Sequence, residues 1–204
     1  MQFTNALAVA ATLASAVSGA TIPSHMKERD TANGTAPPPF FKLQVDAVTT
    51  PIHLQAFQAA HSSIWAGLPK QNATCNNTPD EPTENEATFY LDPQDGGLYL
   101  HGASATPQQT YADRSGFGQG RFAYTTGAQP APRSAERSGW VVDAAGYLTL
   151  DGSSFLACPN AIEGSYVIWV NAGDATPGDS PDCVAIAART VAIPKPLGCQ
   201  YTPN

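Results

Sequence analysis

From Phe41 onward, apolar and polar positions alternate in short runs, and the runs come in pairs across turns. Phe41-Lys-Leu-Gln-Val-Asp46 alternates with period two, meets a turn, and the alternation resumes at Ile52-His-Leu-Gln-Ala-Phe57. Phe89-Tyr-Leu-Asp92 is followed by PQDGG and then Leu98-Tyr-Leu100-His-Gly102. Trp140-Val-Val-Asp143 is followed by AAG and then Tyr147-Leu-Thr-Leu150-Asp-Gly152. The shared plan is aromatic-x-aliphatic-Asp, a Gly-containing turn, then Leu-x-Leu. A half-buried β-hairpin needs this pattern, because successive side chains of a strand point to opposite faces. The Asp closing each first strand suits the turn, since its carboxylate accepts nearby backbone N–H groups.

Further strands are predicted at Tyr166–Val170, Val184–Ala188 and Val191–Ile193. The stretch Pro51 to Leu68 fits either element: Thr50-Pro51 is a helix-start signal, while Ile52, Leu54 and Ala56 alternate like a strand. Residues 102–138 are rich in Gly and Pro and hold four of the six arginines, Arg114, Arg121, Arg133 and Arg137. The expected fold is all-β, a sandwich or barrel of short antiparallel strands. The threefold recurrence of the hairpin plan leaves a β-trefoil as the alternative.

Ahead of the alternating region the pattern changes twice. The first twenty residues carry no Asp, Glu, Lys or Arg, and the apolar run Leu7–Val17 ends in the small residues Ser18, Gly19 and Ala20. This is the pattern of a secretory signal peptide, too short and Ala-rich for a membrane span. Thr21 to Pro39 is polar and lacks periodicity, so residues 21–39 are expected to be a flexible leader or propeptide. Residues 40–204 form the single expected domain. The chain closes on IPKPLGCQYTPN, without the apolar tail of a glycolipid anchor signal, and no membrane anchor is expected.

Secretion gives the cysteines their meaning. Cys75, Cys158, Cys183 and Cys199 are even in number and lack the CxxC or CxxH spacing of a metal site, so two disulfides are expected. Four cysteines allow three pairings, and the sequence does not choose among them. Three N-x-[ST] sequons, at Asn33, Asn72 and Asn76, are candidate N-glycosylation sites, and Pro79 lowers the occupancy expected at Asn76. A formal charge of −7 argues against nucleic acid and anionic membranes as partners.

Candidate chemistry is sparse. His25 falls in the leader, and His53, His61 and His101 carry no neighbouring catalytic motif; neither GxSxG nor HExxH occurs. Asp92 and Asp95 of LDPQDGG satisfy turn geometry better than they satisfy a glycosidase pair, which spans a sugar from separate elements. Gly116-Phe-Gly118-Gln-Gly120 fits a flexible loop, with no strand-turn-helix unit around it. No catalytic residue, metal or cofactor is expected. Among the aromatic residues, Trp140 and Trp169 have aliphatic neighbours and are expected in the core. Tyr99 alternates out of phase with Leu98 and Leu100, which makes it the candidate exposed aromatic and sugar contact.

The stretches Ala87–Trp140, FLACPN (Phe155–Asn160) and GSYVIWVNAG (Gly164–Gly173), with FQAAHSSIWAGLPKQNATC upstream and the terminal CQYTPN, resemble the phialide-development cell-wall proteins of filamentous fungi. The resemblance covers about Phe40 to Asn204. It implies a secreted cell-wall mannoprotein needed for phialides and conidia, with allergenic relatives, no enzyme activity and no catalytic residues. The partner it implies is the polysaccharide or mannoprotein matrix of the wall. The alternative is a secreted carbohydrate-binding module for wall polysaccharide.

Overall fold

A computed structural model describes residues 37–76, 85–159 and 161–203. The expected signal peptide, most of the leader, His25 and the Asn33 sequon lie outside the described residues. Among those described, fourteen strands form: β1 (Phe41–Asp46), β2 (Phe57–Ala60), β3 (Ser63–Ala66), β4 (Thr74–Cys75), β5 (Phe89–Leu91), β6 (Leu98–Leu100), β7 (Gln108–Asp113), β8 (Arg121–Thr126), β9 (Trp140–Val142), β10 (Tyr147–Leu150), β11 (Phe155–Cys158), β12 (Tyr166–Val170), β13 (Val184–Ala192) and β14 (Cys199–Gln200). Only two single 3₁₀ turns, Ile162–Gly164 and Pro177–Asp179, interrupt them.

One antiparallel sheet runs β1-β5-β6-β7-β8-β3-β12-β11-β13, and β13 pairs back onto β1, so nine strands close a barrel. The nine-residue β13 makes the closure possible. Its first half pairs with β11 and its second with β10, while β1 runs along the opposite edge in register from Phe41↔Ala192 to Asp46↔Ala187. The expected all-β barrel therefore forms. Period-two alternation places Phe41, Leu43 and Val45 of β1 inside, together with Phe89, Leu98, Leu100, Phe122, Phe155, Ile168 and Val170.

The two closest repeats fold as matching hairpins. Phe89 faces Leu100 and Leu91 faces Leu98 on β5–β6, and Trp140 faces Leu150 and Val142 faces Leu148 on β9–β10. Both turns use the strand-closing aspartate as expected. Asp92 accepts the Gln94 N–H at 2.8 Å, and Asp143 accepts those of Ala145 and Tyr147 at 2.9 and 2.8 Å. Gly96 and Gly146 supply the left-handed residue each turn needs, at φ 67° and 87°.

The first repeat departs from this plan, and with it the β-trefoil alternative falls. Residues 51–54 turn instead of extending, Leu54 is left-handed (φ 66°) and exposed, and β1 takes β13 and β5 as partners. Pairing over six positions with β13 outweighs a local hairpin whose return strand starts with Pro51, a poor ladder donor. The ambiguous stretch before Leu68 instead forms a tight hairpin, β2–β3, across His61-Ser62. The Gly/Pro-rich stretch 102–138 contains two six-residue strands, β7 and β8, paired throughout. The candidates at Val184 and Val191 merge into the single β13.

The structure pairs Cys75 with Cys199 and Cys158 with Cys183, leaving no free cysteine. The first bridge spans 124 residues and ties β4 to β14; the second spans 25 and fastens β11 to the start of β13. Beside the first bridge, Tyr201 is fully buried and fills one end of the barrel. Its Oη accepts the Thr88 N–H at 2.9 Å, and its backbone exchanges two 2.9 Å bonds with the side-chain amide of Gln108.

Trp140 is 3 % exposed and packs on Phe122 and Phe155, with ring centroids 5.0 and 6.5 Å apart. Trp169 stands on the outer face and is only half-buried, a correction to its expected core position, because the strand phase that buries Ile168 and Val170 turns it outward. Trp140→Ala should cost about 3–5 kcal/mol in equilibrium urea unfolding. A loss under about 1 kcal/mol would contradict a core tryptophan at this position.

Candidate functional site

The phase that sends Phe41, Phe89, Leu98 and Leu100 inward sends their neighbours outward, where four rings meet. Phe41 pairs with Phe89, and Tyr90 pairs with Tyr99, so Phe40, Tyr90 and Tyr99 fall in one line across β1, β5 and β6, with His101 two residues beyond Tyr99 on the same outward phase. Tyr90 and Tyr99 stack with centroids 5.3 Å apart and planes 16° apart. Phe40 closes on Tyr90 edge-on at 5.9 Å and on His101 at 4.5 Å. All four are half-buried. They form a continuous aromatic row on the outside of a barrel whose inside is already filled.

The row continues in polar groups. Tyr99 pairs with Gln109 on β7, and Gln109 with Thr125 on β8. The guanidinium of Arg137 donates to Gln109 Oε1 and, at 3.1 Å, to Thr125 Oγ1, which fixes that end. At the hairpin turn, Tyr99 Oη donates to Asp95 Oδ2 at 2.6 Å while the Gly97 N–H donates to Oδ1 at 2.7 Å. Burial and this bond to a carboxylate hold the Tyr99 phenol well above its ordinary pKa, and burial together with the charges of Asp92 and Asp95 raises that of Tyr90. Both phenols are therefore neutral at any physiological pH. Gly97 is required beneath them, because a Cβ there would lie 2.8 Å from the Tyr99 ring and 2.9 Å from Gln109 Nε2.

The structure places Tyr99 at the centre of this row. Three of its companions were hidden in the sequence. Phe40 is the outward half of a Phe-Phe pair, and that doublet is the signal that could have found it. His101 shares the outward phase of Tyr99, two residues on, but its contact with Phe40 comes from strand pairing, and Arg137 reaches the row through a loop crossing; neither is encoded by a local pattern.

The remaining candidates do not converge. His53 lies in the turn after β1, not on a strand as its alternation suggested, and its Nδ1 accepts the Ala47 N–H at 3.2 Å. The carboxylate of Asp46 lies 3.8 Å from Nδ1, beyond hydrogen-bond distance. Asp46 instead accepts the phenol of Tyr147 at 2.6 Å. His61 sits at the tip of the β2–β3 hairpin, and His101 is stacked in the row. Among the described residues, no group of three or more His, Cys, Asp or Glu side chains is placed to hold a metal ion. Nor is any helix among them long and apolar enough to cross a membrane. Two open depressions, of about 320 and 280 Å³, are lined by Gln55, Gln58 and Asn85 and by Leu156, Asn171 and Asp174 respectively, with no histidine in either.

The two described sequon asparagines differ in their surroundings. Asn72 and Thr74 are both exposed. Asn76 is exposed as well, but its Nδ2 donates to the Ala103 carbonyl at 2.9 Å and its backbone N–H to Gly198 at 2.9 Å, beside the Cys75–Cys199 bridge.

A family model described as PhiA-like secreted protein matches residues 41–202, all but the edges of the barrel chain. Curated relatives named cell wall protein phiA include one from Aspergillus fumigatus, 53 % identical over 151 residues that make up 74 % of this chain and 78 % of that protein. One from Aspergillus niger is 53 % identical over 146 residues, 72 % of this chain and 76 % of that protein. One from Arthroderma benhamiae is 37 % identical over 172 residues, 82 % of this chain and 91 % of that protein. No solved structure matches the chain.

Burial holds the pKa of His101 below the ordinary histidine value, so the folded state prefers the neutral ring. The unfolded chain therefore takes up a proton first as the pH falls below about 6.5. The stability that neutral His101 contributes is fully present above that pH and is lost as the pH falls through the folded value. Thermal unfolding followed from pH 8 to pH 5 should show the midpoint falling below about 6.5. His101→Phe, which keeps a ring against Phe40, should flatten that fall; an identical slope in the variant would contradict this assignment.

Proposed function

We propose, from the premise that this chain belongs to the PhiA-like secreted protein family, that it is a secreted, non-enzymatic glycoprotein of the cell wall with a role in forming phialides and conidia. Family membership carries the proposal, since its curated relatives are named cell wall proteins. A barrel with a side-chain-filled core, closed at one end by Tyr201 and stapled by two disulfides, is in keeping with a protein that works through its outer surface. Its partners in this reading are the polysaccharides or mannoproteins of the wall matrix. The histidines at 53, 61 and 101 lack a common site, which favours a binding or structural role over hydrolysis.

The glycan of this reading sits on Asn72. Its side chain faces solvent, whereas the Asn76 amide nitrogen that would carry a sugar is committed to Ala103 next to a disulfide. Asn72→Gln should remove most of the mass that an endoglycosidase releases from the secreted protein, and Asn76→Gln should remove little. The reverse ranking would reassign the glycan.

The wall role is tested in sporulating cultures. The protein should be found in washed wall fractions, and a strain lacking it should form fewer phialides and conidia. The wild-type chain should restore them, as should a chain carrying His53→Gln and His61→Gln. Normal sporulation without the protein would overturn the developmental role. Failure of the double histidine variant, if folded and secreted, would point to catalysis.

A further inference from the structure

The aromatic row is more than leftover apolar surface. Three of its rings, Phe40, Tyr90 and Tyr99, fall in one line across β1, β5 and β6, His101 packs beside Phe40, and the line is continued by hydrogen-bonding side chains. Rows of this kind cross the sheet at the strand spacing of about 4.8 Å. That step is close to the length of one pyranose in an extended polysaccharide, so consecutive sugars can meet consecutive side chains. Aromatic rings take up the C–H faces of sugars, and the carboxylates and amides beside them take up hydroxyls.

From these features we infer that the row Phe40–Tyr90–Tyr99–His101, with Asp95 and Gln109 at its flank, is a docking site for an uncharged hexopyranose polymer. The local charge selects this occupant. Asp92 and Asp95 stand beside the two tyrosines, and the nearest guanidinium, on Arg137, is engaged by Gln109 and Thr125. An anionic ligand would be repelled at such a face, whereas neutral hydroxyls find acceptors there. Both phenols stay protonated at physiological pH, so Tyr90 and Tyr99 keep their hydroxyl groups there. This inference rests on the wall location proposed above and adds to it the site and the ligand class.

The test is affinity electrophoresis of the secreted protein in gels holding laminarin, yeast mannan or soluble chitin oligomers. At least one of these should retard it, and the three arms distinguish glucan, mannan and chitin as the source of the hexose chain. Tyr90→Ala with Tyr99→Ala should weaken the retardation constant by about tenfold or more. Phe117→Ala, which removes a fully exposed ring at the β7–β8 turn, should leave it unchanged. A second measurement needs no variant: the ring resonances of Tyr90, Tyr99 and His101 in the intact protein should shift on adding the retarding sugar. The proposal is overturned if none of the three polymers retards the protein, if the double tyrosine variant binds within about twofold of wild type, or if the shifted resonances lie elsewhere. Wall fractionation separates the two readings. Wild-type protein recovered in washed walls, while none of the three polymers retards it in vitro, sinks the docking site and leaves the wall location standing.

Discussion

The closed barrel depends on how its open end is sealed, and one buried tyrosine does most of that sealing. Nine strands enclose a space that inward Phe, Leu and Ile side chains fill along the middle, but a barrel end exposes backbone and core alike. Tyr201 enters there. Its phenol takes up the Thr88 N–H, and Gln108, fully buried on β7, bonds both the N–H and the C=O of Tyr201 as a neighbouring strand would. Thr202 extends the seal, accepting from the hydroxyl of Tyr124 and the N–H of Ser62 through its carbonyl and from the His61 N–H through its hydroxyl. Buried polar groups left without these partners would each cost roughly 1–3 kcal/mol, so the plug and the strands it touches stand or fall together.

The disulfides reinforce what the plug begins. Cys75–Cys199 fixes the segment carrying Tyr201 to the loop that follows β3, across 124 residues of chain. In the chain-entropy account, closing a loop of that size constrains the unfolded state by on the order of 4–5 kcal/mol. The bridge also holds down the loop bearing Asn72 and Asn76, which is how a polar, Gln- and Asn-rich stretch becomes a defined surface. Gln71 and Asn85 complete the hold: Asn85 accepts the Gln71 N–H at 2.7 Å, and the Gln71 side chain reaches the Glu86 carbonyl at 2.9 Å.

A filled interior moves function to the outside. In a barrel with an open mouth, ligands enter the lumen; here Phe122, Trp140 and Phe155 occupy it with rings in mutual contact. What the sheet can offer a partner is its outer face, and that face is mostly polar or covered by loops. The row through Tyr90 and Tyr99 stands out by joining stacked rings to bounding carboxylates, with Gly97 leaving room beneath Tyr99. Its stability is bound to that of the core, since each outward ring is the chain neighbour of an inward one. Phe40 precedes Phe41, Tyr90 follows Phe89, and Tyr99 lies between Leu98 and Leu100.

The sequence by itself determined the strand class, the two matching hairpins and the outward direction of Tyr99. Each of these follows from period-two alternation and from turn residues a few positions apart. A strand cannot bury Leu98 and Leu100 without turning Tyr99 away, and Asp143 and Gly146 specify their own turn. The resemblance to fungal wall proteins was likewise legible in the central run of the chain. Only the tertiary structure decided which strands are neighbours, and so which cysteines meet. It also decided that Phe41–Asp46 would join β13 instead of its own return segment, and that two long strands would form inside a Gly/Pro-rich stretch. The reason is physical: local pattern fixes the face on which a side chain lies. Pairing between strands more than a hundred residues apart is chosen by the closure of the whole sheet, and the long-range pairing of β1 with β5 brought Phe40 to the side of Tyr90 and His101.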